Sequence, residues 1–575
     1  MLRALVLDGQ TVTALEVVQS LARRGVHVDV AATKDCIAFK SRRIQRRFLQ
    51  PVAEKSAGFI DWIRAVDAEG RYSLIVPPTE ISLLPFVTLP DDDPIKMKAA
   101  LAPREALATA LNKFSTISLA QRLGVPVPET RFIDSIEDAP KVESYPVVLK
   151  PISSKVMSGG RLHGVPPVLV RNECERRWHL ISLLERTPVL QQEYVSGWGV
   201  GVELLYRRGE MLWHFCHERV HEGSGMGGLG SGSSYRRSAI APPEMLHHAK
   251  NLLDALQWHG VAMVEFKVTA TGRFWLMEIN PRLWGSVALA IDAGVDFPYG
   301  LLCLAAGLPI PPQPRYRVPY FTRELFRDVE WLKARLVGRP DFSAITEILR
   351  LCRPLAGVES WDLFDWRDPR TTVYVLRDII SYWMRGKKSR ISSLRLRRLA
   401  KRQHANTLAR IKRLGRTPQQ ILFLCHGNIH RSPAAQALAA RSWRGVNVSS
   451  AGFYESEGRP VSENFQLLIR SMGLDLSQWS SRRVSSEMVD NADLVVLMDL
   501  RNFRDYSQQF PAQLHKVVFL GMFMVHPMLS IDDPYGGGPE ESLRVLKQIE
   551  AGITGLRSVV TGAQRAQPPV EAPAD

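Results

Sequence analysis

Leu422–Ala440 reads LFLCHGNIHRSPAAQALAA. An apolar run ends at Cys425, a short loop containing Gly427 and Asn428 follows, and Arg431-Ser432-Pro433 opens an Ala-rich segment. This order predicts a strand, a tight loop and a helix with Pro in its first turn. Such a loop directs several backbone N–H groups and a helix N-terminus at one point, which is how proteins bind a phosphate dianion. The same field favours a thiolate, so Cys425 is expected to be a nucleophile rather than a buried structural thiol. Arg431 would clamp two phosphoryl oxygens with its planar fork. The leaving oxygen needs a proton, and Asp533 in IDDPYGGG, on a loop stiffened by Pro534, is the candidate general acid.

Outward from this stretch, the chain of 575 residues is too long for one ordinary core, and two to four domains are expected. It is 45% hydrophobic and 23% charged. No apolar run approaches the roughly 18 residues of a bilayer span. The start, MLRALVLDGQ, meets an acid before a signal-peptide core can form, so a cytoplasmic location is expected. Cys36, Cys174, Cys216, Cys303, Cys352 and Cys425 lack paired spacing, which argues against a disulfide framework or a zinc cluster. The net charge of +16 is local, because Arg385 to Arg416 holds thirteen Lys or Arg and no Asp or Glu. A basic linker helix accounts for it, and a nucleic-acid partner is not expected.

The opening RALVLDGQTVTALEVVQSLARRGVHVDVAAT predicts strand, turn, amphipathic helix and strand, with Gly9 alone marking the turn where a dinucleotide fingerprint needs three glycines. SLIVPPTE is a further strand, and a helical stretch runs from PDDDP to Leu123 before GVPVPET forces an extended exit. VVLKP (Val147 to Pro151) is a short strand carrying Lys150, and VLQQEYVSGWGVGVELLYRRGEMLWHF alternates turn glycines with β-formers. Gly223 to Ser234 is a Gly/Ser loop with the composition of a mobile lid. VAMVEFKVTATGRFWLMEINPR is a hairpin turned at Thr271-Gly272, and a helical, aromatic-rich region is expected from Arg323 to Met384. The hairpin sets Glu265 beside Glu278 and Asn280, the last two sharing one face. A hard oxygen cluster of this kind suits magnesium carrying nucleotide phosphates.

Two families are resembled. CHGNIHRSP, the SSAG run before Phe453, DLSQWSSRR, ADLVVLMD and DDPY resemble, in order, the low-molecular-weight protein tyrosine phosphatases over about Gln419 to Leu556. The resemblance implies that Cys425 attacks phosphorus, Arg431 binds the phosphoryl group and Asp533 protonates the leaving group. The phosphate loop is then His426, Gly427, Asn428, Ile429, His430 and Ser432, with Asn428 and Ser432 holding loop and thiolate, and no cofactor is implied. His430 stands where many members carry a second cysteine, His426 where a small or apolar residue is commoner, and Trp479 where a histidine is usual. A metal on His426 and His430 is not expected.

LNKFSTISLAQRLGVPVPET, YPVVLKP, QQEYVSGWGVGVELL and FWLMEINPR resemble the ATP-grasp ligases over about Met1 to Pro311. That resemblance implies ATP and Mg2+. Lys113 and Lys150 would meet the phosphates, Gln192, Glu193, Tyr194 and Val195 the adenine, and Glu265, Glu278 and Asn280 the magnesium. Arg282 would face the acyl phosphate, and Arg236 would anchor substrate. Gly199 occupies the place of a ribose-binding acid, which leaves Glu203 as substitute.

The expected organisation is multidomain α/β: a pre-ATP-grasp α/β domain (1–100), an ATP-grasp domain with α+β lobes (101–311), a helical region with the basic linker (312–418), a doubly wound phosphatase domain with a central parallel sheet (419–560) and a disordered tail (561–575). The expected function is bifunctional. A ligase joins small carboxylate and amine substrates through an acyl phosphate, and a phosphatase acts on a phosphotyrosine protein or small phosphomonoester through a phosphocysteine. The alternative is a phosphatase regulated by a ligase-dead, ATP-sensing domain. Residues 374–413 pair apolar and basic side chains, which suits either a helix packed between domains or peripheral contact with an anionic inner membrane face.

Overall fold

Four parallel strands open the chain, in the order Ile44–Leu49, His27–Ala32, Arg3–Val6, Leu74–Val76. In the three strands other than the edge strand Ile44–Leu49 the Val, Leu and Ala side chains are almost wholly buried, as expected for a sheet covered on both faces. The helix Val12–Arg23 follows the first strand, with the Thr11 hydroxyl accepting from the Ala14 N–H at its start. The computed structural model describes residues 1–51, 56–158, 161–222, 233–338, 353, 359–365, 367–414, 418–443 and 445–560. The chain divides into two units, Met1–Arg176 with Leu183–Tyr382, and Trp383–Asp575 with Arg177–Ser182.

Two further sheets complete the first unit. One is antiparallel, in the order Thr130–Ile133, Val189–Glu193, Val147–Pro151, Val168–Val170. The other has seven strands, in the order Phe274–Asn280, Gly260–Val268, Trp198–Arg207, Glu210–Glu222, Ser233–Ala239, Phe321–Arg323, Ser360–Trp361. The expected hairpin is present, with Gly272 at φ +81° in its turn and Glu265 directly opposite Glu278.

The region expected to be helical from Arg323 to Met384 is corrected in part. Its described residues form the helices Leu325–Gly338 and Pro369–Leu414, but Phe321–Arg323 and Ser360–Trp361 are strands of the seven-stranded sheet. Residues beyond Pro311 therefore finish the sheet that carries the candidate nucleotide groups. Arg323 explains the misreading. It is a fully buried strand residue whose charge is met by Asp328 at 2.5 Å and Glu359 at 3.0 Å, so a charged residue sits where the sequence pattern asks for an apolar one.

The second unit is built on a parallel sheet in the order Asn447–Gly452, Gln420–Cys425, Leu494–Leu497, Val517–Phe519. The helices Arg431–Ser442, Glu463–Ser471 and Pro539–Val560 pack one apolar cluster with this sheet. A second cluster takes in Leu396 and Ala400 of the long basic helix. That helix is bonded there too: His404 Nδ1 accepts the Phe519 N–H at 3.2 Å, and Gln403 donates to the Leu514 carbonyl at 2.8 Å. Its described C-terminal part is thus a packed element, with Leu394 and Leu399 left exposed. Among the described residues no single helix is long and apolar enough to cross a membrane. Of the Gly/Ser loop expected at Gly223 to Ser234, residues 223–232 lie outside the described residues, as does the tail from 561, while Ser233 and Ser234 are corrected to the buried start of the strand Ser233–Ala239.

Candidate active sites

Cys425 ends its strand buried, with two donors on its sulfur: the Asn428 N–H at 3.2 Å and the Ser432 hydroxyl at 3.1 Å. The loop is shaped by turning its carbonyls outward. The His426 carbonyl accepts from the Phe453 and Tyr454 N–H groups, that of Gly427 from Arg459, and that of Asn428 from the Trp479 indole N–H. In a planar trans peptide the next N–H points the opposite way, so three successive outward carbonyls turn three N–H groups toward the sulfur side. Gly452 permits the close approach, because a Cβ there would lie 2.7 Å from the His426 carbonyl oxygen.

Asn428 has φ +51° and no exposure. Its side-chain amide donates to Ser432 and Ser450, each at 3.0 Å, and its amide oxygen accepts the Arg482 N–H at 2.8 Å. Arg431, 2% exposed, donates to Asp499 (2.6 Å), to the Ile531 carbonyl (2.9 Å) and to Asp533 (2.7 Å). Burial works against its charge, but Cys425, Asp533 and Asp499 outweigh it and raise its pKa. Its Nε has no hydrogen-bond partner among the described residues. Cys425, Arg431 and Asp533 are therefore together, with Ser432 and Asn428 on the sulfur.

The two loop histidines do different things. His430 is buried, bonded to Ser462 at 2.8 Å and set 4.5 Å from the Phe465 ring, and burial pushes its pKa down to about 4. His426 meets Arg501 at 3.0 Å, and burial with that cation lowers its pKa. Tyr454 and Tyr535 are exposed, beside His426 and His430 respectively. Sequence reasoning missed Asp499, Ser450, Arg482 and the Trp479 donor, although Asp499 closes the ADLVVLMD run and Ser450 lies in SSAG.

In the first unit Lys113 starts its helix, donates to Ser154 at 2.7 Å and lies 3.7 Å from Glu278. Lys150 donates to Gln192 at 2.5 Å, and burial is the main cause holding its pKa at about 8. Gln192 is buried and donates to Thr130 at 3.0 Å. Glu193 is exposed, Tyr194 half-buried within 5.8 Å of Lys267, and Val195 buried.

Glu265 pairs with Arg219 at 2.7 Å; burial and the charge of Glu278 raise its pKa, with Arg219 opposing. Glu278 is lowered against burial by Lys113, the Asn280 amide, Lys150 and Arg282. Asn280 donates to Glu278 at 3.0 Å, which leaves its amide oxygen as the third oxygen of the set. Among the described residues no three His, Cys, Asp or Glu gather to hold a metal. Two facing half-buried carboxylates with an amide oxygen nevertheless fit magnesium, a hard cation that needs few protein ligands.

Glu203 does not take the expected place. It is fully buried and its carboxyl engages His217 Nδ1, with burial raising the pKa of Glu203 and lowering that of His217. A ribose hydroxyl has no access to it, so the substitution for Gly199 is corrected. Gly201 makes room for the pair, since a Cβ there would meet the His217 ring at 2.5 Å. Arg282 lines a small cavity with Lys113, Glu278 and Asn280, whereas Arg236 lines another, larger one and is paired with Asp362.

Residues 420–566 match the family model described as low molecular weight phosphotyrosine protein phosphatase, and residues 186–324 match ATP-grasp in the biosynthetic pathway with Ter operon. The probable low molecular weight protein-tyrosine-phosphatase EpsP of Ralstonia nicotianae is 32% identical over 133 residues, covering 23% of this chain and 90% of that protein. A protein-arginine-phosphatase of Geobacillus stearothermophilus is 33% identical over 121 residues, covering 21% and 81%. Among solved structures, N5-carboxyaminoimidazole synthetase from Staphylococcus aureus aligns with a TM-score of 0.45 at 16% identity, covering 59% of this chain and 86% of that one.

Proposed function

Because the chain belongs through its C-terminal part to the low molecular weight phosphotyrosine protein phosphatase family and carries an ATP-grasp ligase domain ahead of it, we propose that Cys425 opens a two-step phosphoryl transfer. The observation that carries this is the pair of donors on Sγ with Arg431 six residues on. The sulfur attacks phosphorus, forming the S–P bond as the ester P–O bond breaks, and the Asp533 carboxyl gives its proton to the leaving oxygen. Water then cleaves the S–P bond and returns a proton to Asp533. An entering phosphoryl group takes over the Arg431 donors now held by Asp533, which releases that carboxyl to act on the leaving oxygen. The exposed Tyr454 and Tyr535 rings favour an aromatic ester, so phosphotyrosine is the substrate class assigned.

Hydrolysis of p-nitrophenyl phosphate and phenyl phosphate tests this. Cys425→Ser is expected to be silent on both. Asp533→Ala should lose about 10²–10³ in kcat on phenyl phosphate and far less on the nitrophenyl ester, whose leaving group needs no proton. Activity retained by Cys425→Ser would overturn the assignment.

For the N-terminal unit the reading is ATP-dependent joining of a carboxylate to an amine. The carboxylate oxygen attacks the γ-phosphorus of ATP to give an acyl phosphate and ADP; the amine nitrogen then bonds to the acyl carbon as phosphate leaves and a proton is lost. Lys113 and Lys150 orient the phosphates, Gln192 to Val195 the base, and Arg282 the acyl phosphate. Glu265, Glu278 and Asn280 would hold magnesium, which supplies charge neutralisation on the nucleotide phosphates. ADP release by Cys425→Ser protein with pooled carboxylates and amines checks this. It should depend on both pools and vanish in Glu278→Ala. ATP binding without ADP release would favour the ATP-sensing alternative.

A further inference from the structure

A cavity of about 410 Å3 in the first unit is lined by Gln10, Arg219, Arg236, Trp284, Glu324 and Asp362, among others. Its wall combines two opposite chemistries. Arg219 and Arg236, each already paired with a carboxylate, the Trp284 indole N–H and the first turn of the helix Val12–Arg23 supply donors. Asp362 and the Gln10 amide oxygen supply acceptors, and Glu324 is met by Arg327, which also lines the cavity.

Three of these atoms have no hydrogen-bond partner among the described residues: Trp284 Nε1, Gln10 Oε1 and Asp362 Oδ1. Trp284 is only 2% exposed and Asp362 only 4%. Buried polar atoms are nearly always paired, so one unpaired donor and two unpaired acceptors around a single cavity mark the place of a polar ligand. A simple anion would satisfy the indole and leave both oxygens orphaned; a simple ammonium would do the reverse. Arg236 already engages the other Asp362 oxygen, so the cavity is not a bare anion trap. Arg219 lines the cavity and also pairs with Glu265, so the ligand lies next to the proposed nucleotide groups.

We propose that this cavity receives a zwitterionic amino carboxylate of the amino-acid class as one of the two ligase substrates. The inference rests on the ligase reading above and names the substrate class for it. The volume lies toward the small end of ligand pockets, which span about 300–1,000 Å3, and this favours a free amino acid over a polymer end.

The test is calorimetric titration of the full-length protein with each common L-amino acid, with and without adenylyl imidodiphosphate and magnesium. Each is run beside its carboxamide, which lacks the carboxylate, and its α-hydroxy acid, which lacks the ammonium. At least one amino acid is expected to bind, with both counterparts weaker by about tenfold or more, since each leaves buried groups unpaired. Trp284→Phe, which keeps the ring and removes the donor, should weaken that amino acid by about tenfold and leave p-nitrophenyl phosphate hydrolysis unchanged. Gln10→Ala serves as the second variant should Trp284→Phe lower the melting temperature. Counterparts that bind as tightly as their amino acids, or the absence of binding by every amino acid, would overturn the proposal. The ligase reading fails separately, if the bound amino acid supports no ADP release with any amine or carboxylate.

Discussion

Asn428 sits in the left-handed backbone region at φ +51°, where non-glycine side chains are uncommon, and neighbouring groups fix it there. Ser432, Ser450 and the Arg482 N–H hold its side chain, and the Trp479 indole N–H holds its carbonyl at 2.9 Å. The twist aims the Asn428 N–H at Cys425, so whatever relaxes it withdraws a donor from the sulfur. Trp479 therefore does by its N–H what a ring N–H of the usual histidine could do. Trp479→Phe keeps an aromatic ring and loses the donor, and kcat on p-nitrophenyl phosphate is expected to fall about fivefold to tenfold, the worth of one hydrogen bond of about 1 kcal/mol. KM should hardly move, because the phosphate-binding N–H groups remain. Trp479→His is expected to restore most of the rate, which a purely packing role for the indole would not allow.

The helix Pro369–Leu414 shows what an element hides from its sequence. Its basic charge and its apolar side chains were both legible, whereas which of them pack was not, because Leu396, Ala400, Leu408 and Ile411 are interleaved with Arg and Lys and with the exposed Leu394 and Leu399. The strands Phe321–Arg323 and Ser360–Trp361 were illegible for a related reason: they are too short for an alternating pattern, and Arg323 is buried on its acids. The cysteine loop and the acidic hairpin were legible because their chemistry lies within a few residues of chain. Glu203 was misread because its partner, His217, stands on the neighbouring strand. His404 turns the packed helix into a pH-dependent element. Burial lowers its pKa from 6.5 to about 4 while its Nδ1 accepts the Phe519 N–H. Between those values the unfolded chain binds a proton that the folded chain refuses, so the stability contributed above pH 6.5 is lost as the pH falls toward 4. His404→Asn supplies an acceptor that does not titrate. Thermal melting of both proteins from pH 7 to 4.5 should show a shallower decline for the variant, whatever its starting melting temperature. Equal slopes would remove His404 from this role.

At the scale of the whole molecule, the proposed residues of the two reactions never interleave. Lys113 to Arg282 belong to the first unit, and Cys425 to Asp533 belong to the second. Each set is fixed by its own sheet: the first by strands whose register sets Glu265 opposite Glu278, the second by a parallel sheet whose central strand ends at Cys425. The two chemistries also ask for different things. A cysteine, an arginine and an acid suffice for one, while the other brings a highly charged nucleotide to two half-buried carboxylates and needs a divalent cation there. Chelation should therefore separate them. With excess EDTA, ADP release is expected to vanish while kcat on p-nitrophenyl phosphate stays within about twofold, as for groups that share no partners. Glu278→Ala should reproduce that pattern without a chelator, and Cys425→Ser should give its mirror image. If Glu278→Ala instead changed the phosphatase kcat severalfold, the two reactions would be energetically coupled, and ATP occupancy would have to be counted among the controls on Cys425.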